Sequence, residues 1–163
     1  MSGRTSVPTR PSPIADAAER ELLITRVFDA PRELVFKAWT DPRHITSWWG
    51  PANFPVTQMD MEVRPGGDWR GCLRSVAGGR ELRHRGVFRE VVPPERLVFT
   101  FAWEAEGERG RETLVTLTFA AEGDKTLMTL RQEPFLSVED REEHRGDWIG
   151  AFDRLHEHMA SNA

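Results

Sequence analysis

The chain switches between two hydrophobic rhythms, alternation by two and recurrence at three and four, and the switches divide it into elements. Residues 1–18 mix Ser, Thr and Pro with little to bury, the composition of a mobile tail. From Glu21, ELLITRVF reads as a strand closed by Asp29 and Pro31. Pro31 suits a helix start, where its missing N–H would have no partner anyway. Residues 31–39 follow, with apolar Leu34, Val35 and Ala38. Thr40-Asp41-Pro42 repeats the device and opens a second short helix that ends at Gly50-Pro51.

Alternation then takes over. Residues 54–63 place Met59, Met61 and Val63 on one face, and residues 68–75 place Trp69, Gly71 and Leu73 together. Residues 82–92 put Arg83, Arg85 and Arg89 on one side and His84, Phe88 and Val92 on the other. Residues 97–103 carry Leu97, Phe99, Phe101 and Trp103 in phase, residues 112–120 carry Val115, Leu117 and Phe119, and 125–132 closes the series. Tight turns at Pro65-Gly66-Gly67, Gly78-Gly79, Pro93-Pro94 and Gly123-Asp124 join these strands, so the sheet is antiparallel. The rhythm lengthens again after Ser137, which with Asp140 has the form of a capping box. Trp148, Phe152, Leu155 and Met159 form an apolar stripe of helical period. The expected fold class is α+β: a strand, two short helices, six antiparallel strands, and a long C-terminal helix covering the sheet's apolar face. One domain over residues 19–161 accounts for all of it.

Composition narrows the function classes. The charge is −4 with 22 basic against 26 acidic residues, without the basic excess of a nucleic-acid-binding protein. No apolar run of about 20 residues is present to cross a membrane, and the first twenty residues lack a signal-peptide core, so a cytoplasmic location is expected. Cys72, the single cysteine, excludes an internal disulfide or a Cys-x-x-Cys site, and alternation places it opposite Trp69 and Leu73. Nine Phe and six Trp with no Tyr supply large rings for a core or a cavity wall.

Five blocks then carry a resemblance: FDAPRELVFKAWTDPRHITSWWGP (28–51), EVRPGGDWR (62–70), GVFREVVPPERLVFTFAW (86–103), TLVTLTF (113–119) and HRGDWIGAFDRL (144–155). In this order they resemble the helix-grip fold of the START-like, or SRPBCC, superfamily. The branch they resemble is the one similar to the carboxy-terminal domain of the activator of the 90-kDa heat-shock protein ATPase. Glu62 and Asp147 depart from the family's usual Asp and Gly. The resemblance implies a cavity between helix and sheet, and a small hydrophobic or amphipathic ligand. The chaperone activators carry a further amino-terminal domain for which these 163 residues leave no room, so a chaperone partner is the alternative expectation. A cyclase- or hydrolase-type enzyme using His84 and a pocket water is the second alternative.

The candidate pocket residues are Trp48 and Trp49 at the end of the second helix, Trp69, Leu73, His84, Phe88, Phe99, Phe101 and Trp103 on the sheet, and Trp148 and Phe152 on the terminal helix. The same pattern describes a solid core, in which the helix fills the space. His84 and Glu90 are the polar positions in phase with the inner face, and Gln132 joins them near a strand end. His84 and Glu90 are six residues apart on one extended strand, about 20 Å, too far to act as an acid–base pair. His156 and His158 are two apart on a helix and do not face one another, and His144 lies three turns away, so no metal site is expected. No P-loop, dinucleotide-binding glycine pattern, HExxH or GxSxG is present, and no cofactor or catalytic residue is assigned. Oligomeric state is open, a homodimer included.

Overall fold

The computed structural model describes residues 16, 18–105 and 110–161. The tail expected over residues 1–18 lies, but for residues 16 and 18, outside the described residues. The elements run β1 (Leu22–Phe28), α1 (Arg32–Thr40), α2 (Pro42–Ile45), β2 (Val56–Met61), β3 (Asp68–Arg74), β4 (Glu81–Val92), β5 (Arg96–Trp103), β6 (Thr113–Glu122), β7 (Lys125–Glu133) and α3 (Val138–Ser161). Seven strands form one antiparallel sheet in the order β1-β7-β6-β5-β4-β3-β2. The two edge strands, β1 and β2, are consecutive in sequence. The α1–α2 connection therefore has to cross the sheet, and it helps α3 close the inner face.

Local chemistry sets the boundaries. Asp41 caps α2 by accepting the Arg43 N–H at 2.9 Å, with Pro42 in the first turn. The Ser137 hydroxyl accepts the Asp140 N–H at 3.1 Å and starts α3. Trp148, Phe152, Leu155 and Met159 are buried, as the helical stripe requires. In α1 the buried residues are Val35, Phe36, Ala38 and Trp39, whereas apolar Leu34 is exposed.

One strand breaks its own alternation. In β4, Phe88 pairs with Phe99 but Glu90 pairs with Val98, so Arg89 is an extra residue and a β-bulge reverses the phase beyond it. His84 and Phe88 face inward before the bulge, and Val91 packs on the core after it. Glu90 and Val92, expected on the inner face, are exposed instead, and Glu90 meets Arg96 at 2.9 Å. Simple alternation cannot anticipate an inserted residue. Cys72 is buried and points away from Trp69 and Leu73, as alternation expects.

Candidate functional site: the aromatic seam between sheet and helix

All six Trp residues are buried, and they form one connected cluster around Trp39 and Trp49 with Phe99, Phe101 and Phe152. Burying a ring is worth about 1.5–3 kcal/mol, but an indole N–H inside the core needs an acceptor. Five of the six find one. Trp48 donates to the Ala38 carbonyl at 3.1 Å and Trp69 to the Thr100 carbonyl at 3.0 Å. A Cβ at Gly86 would run into both the Thr100 carbonyl and the Trp69 indole, so glycine there permits the second bond. Trp49 donates to His84 Nε2 at 2.6 Å, Trp103 to His144 Nε2 at 3.0 Å, and Trp148 to Gln132 Oε1 at 2.8 Å. Trp39 has no acceptor for its N–H.

The two buried histidines use the same bond but differ behind it. Accepting at Nε2 means that each neutral ring carries its proton on Nδ1. His144 directs Nδ1 at the Asp140 carbonyl, 2.9 Å away, with the Asp140 carboxylate at 3.4 Å. His84 Nδ1 makes no hydrogen bond of good geometry, the Leu82 backbone offering a weak one at most. Burial pushes the His84 pKa down to about 4, the Leu82 backbone opposing the shift, so the ring is neutral near pH 7 and Nε2 keeps its lone pair. Gln132 completes the polar set by donating to the Thr113 hydroxyl at 2.8 Å.

Space in the seam is small. A hollow of about 10 Å³ is lined by Trp39, Ile45, Trp49, Met59, Met61, Trp69, Phe88, Leu97 and Phe99. A second, of about 30 Å³, is lined by Trp49, Gly50, Pro51, Phe101, Trp103, His144, Asp147, Trp148 and Ala151. Either holds about one water at most. The seam is closed in this conformation, and Trp49 is the wall common to both hollows.

Of the residues expected in a pocket, Trp49, Trp69, Phe88 and Phe99 meet at the first hollow, and Trp49, Phe101, Trp103 and Trp148 at the second. Trp48, Leu73, His84 and Phe152 are buried in the same core without lining either. Sequence reasoning missed Trp39, Asp140 and His144. The signal for two of them was available: stepping back by four from Trp148 along the apolar stripe reaches His144, and a further four reaches Asp140. His158, weighed with His156 and His144, meets His44 of α2 instead, its Nε2 lying 2.9 Å from His44 Nδ1. Among the described residues, no three His, Cys, Asp or Glu side chains come together as a metal site, and no helix is long and apolar enough to cross a membrane.

An antiparallel sheet gripping a long C-terminal helix, with the two short helices inserted after the first strand, defines a START-like helix-grip domain. Within that class, the family described as "Activator of Hsp90 ATPase homolog 1-like protein" matches residues 29–160, and the chain belongs to it. Solved structures repeat the fold. A Chromobacterium violaceum protein superimposes with a TM-score of 0.80 at 24% identity, covering 86% of this chain and 96% of its own. For the AHSA1 protein of Silicibacter pomeroyi the values are 0.79, 23%, 88% and 99%. CalU16 of Micromonospora echinospora is similar at a TM-score of 0.62 and 26% identity, over 85% of this chain and 75% of its own. No curated protein matches the chain significantly.

Proposed function

We propose that this domain binds a small hydrophobic or amphipathic molecule in the seam between the sheet and α3. The observation that carries the reading is the convergence, around two hollows with one shared wall, of a predominantly apolar lining and a few buried polar groups. Ligand sites have that composition, in which rings supply contact area and sparse polar groups set orientation. Because the hollows hold about 10 and 30 Å³, binding requires a wall residue to move.

The rivals have less behind them. A chaperone-docking module would present an aromatic patch, whereas the exposed large hydrophobics among the described residues are Leu, Val and Ile. An acid–base enzyme needs a histidine with a lone pair to spare, and Nε2 of both His84 and His144 is already taken by an indole N–H.

The test is titration of the full chain with the apolar probe N-phenyl-1-naphthylamine. Saturable one-to-one binding by the folded protein is expected, with the affinity altered by Phe101→Ala at the wall of the second hollow. Absence of probe binding, together with a loss for Phe101→Ala in the full range of about 3–5 kcal/mol for a solid core, would overturn it.

A further inference from the structure

Trp49 differs from the other five tryptophans in how it is held. It lies in residues 46–55, the connection between α2 and β2, whereas Trp39, Trp69, Trp103 and Trp148 sit in helices or strands and Trp48 anchors to α1. Its ring walls both inner hollows and also lines an outer depression of about 430 Å³, formed with Thr46, Ser47, Asn53, Phe54 and Arg154. One ring therefore separates the interior from the surface.

The fastening of that ring is concentrated in two places. Inside, its N–H meets His84 Nε2 at 2.6 Å, with the ring planes 6° apart and the centroids separated by 5.8 Å. Face-to-face stacking would hold the nitrogens farther apart, so the rings lie edge to edge and the N–H points along the lone pair. Outside, Arg154 of α3 reaches the carbonyls on either side of Trp49: Nε donates to Trp48 O at 3.3 Å, and Nη2 donates to Gly50 O. Gly50 takes φ +98° and Asn53 φ +67°, so the backbone after Trp49 turns through left-handed positions. A Cβ at Gly50 would come within 2.9 Å of Leu73.

Building on the ligand-binding reading, we propose that the Trp49 indole occupies the seat of a planar aromatic ligand carrying an N–H or O–H donor. Such a ligand displaces the ring towards the outer depression and donates to His84 Nε2 in its place. Removing Trp49 joins the two hollows through the volume that the indole vacates, between Trp69, Phe101 and Trp148. It also leaves buried His84 with an unpaired acceptor at Nε2. A ligand without a donor leaves that acceptor unsatisfied, and this supplies selectivity. Arg154 sets how readily the loop releases, because its bonds hold the two residues flanking Trp49.

The experiment compares indole with 1-methylindole, which has nearly the same shape and no N–H. Binding to the full chain is measured by calorimetry and by the side-chain N–H resonance of Trp49, assigned from the spectrum of Trp49→Phe. Indole is expected to bind about tenfold or more tighter than 1-methylindole, the size of one hydrogen bond, and to shift the Trp49 resonance. Trp49→Ala should tighten indole by about tenfold or more, since nothing has to be displaced, and Arg154→Ala by a smaller factor. Trp49→Phe retains a ring but frees His84, and serves if Trp49→Ala folds poorly. Equal affinity for the two probes would overturn the donor requirement while leaving the pocket reading intact. An unmoved Trp49 resonance at saturation, with no tightening in Trp49→Ala or Trp49→Phe, would overturn displacement and put the ligand elsewhere. Failure of both probes on the wild type and on both folded Trp49 variants would remove this proposal. It would leave the broader reading to the naphthylamine titration.

Discussion

The two halves of α3 face the same sheet with different chemistry. The C-terminal half buries Ala151, Phe152, Leu155 and Met159; of these Ala151 alone touches a hollow, at the helix midpoint, and Phe152 packs against Phe28 and Trp48. The N-terminal half buries Asp140, His144 and Trp148, and His144 and Trp148 line the larger hollow. Hydrocarbon surfaces need only matching shape, so the C-terminal half can close completely. Buried polar groups also need partners at fixed angles, and meeting both demands leaves small voids and occasional unpaired atoms. The difference locates where the fold can open at least cost: at the polar end and at Trp49, away from the Phe152 stripe.

The strongest test of the comparison lies in the solid half. Phe152 is fully buried, so Phe152→Ala should cost about 3–5 kcal/mol in urea unfolding. A cost below about 2 kcal/mol would mean that this half is as yielding as the other.

Acid should act on the polar part of the core through His84. Its folded pKa of about 4 lies below the ordinary 6.5, so between those values the unfolded chain binds more protons and stability falls as pH falls. The loss should be on the order of 2–3 kcal/mol between pH 7.5 and pH 4.5, at about 1.4 kcal/mol per pH unit once the unfolded ring is protonated. His84→Gln retains an acceptor for Trp49 without titrating in this range, so the difference between the two unfolding profiles isolates the effect. Parallel profiles would remove His84 from the account.

A smaller effect separates a satisfied indole from an unsatisfied one. Trp103→Phe strips the donor from buried His144 Nε2 and should cost about 1–3 kcal/mol beyond the lost ring volume. Trp39→Phe removes similar volume but no hydrogen bond, since Trp39 Nε1 has no partner, and should cost less by about 1 kcal/mol or more. Equal costs would show that packing alone decides. The smallest effect belongs to the outer side of the same helix: Ile149 is 43% exposed, and Ile149→Ser should stay within about 0.5 kcal/mol of wild type.

The order of elements was legible along the chain because it depends on local period and punctuation. Alternation with turn residues marked the strands, Asp41-Pro42 and Ser137 marked helix starts, and the stripe from Trp148 to Met159 marked the buried face of α3. The aromatic composition of the seam was legible for the same reason. The phase of β4 beyond Phe88 was not, because a bulge is an agreement between two strands and leaves no signature in one of them. The pairing of each indole with its acceptor was decided only in three dimensions. Trp49 and His84 are 35 residues apart and Trp103 and His144 are 41 apart, and nothing local at either end specifies the other. The same holds for the size of the hollows. Volume is what remains after all the rings have found their places, so it belongs to the packed whole and to no segment of the chain.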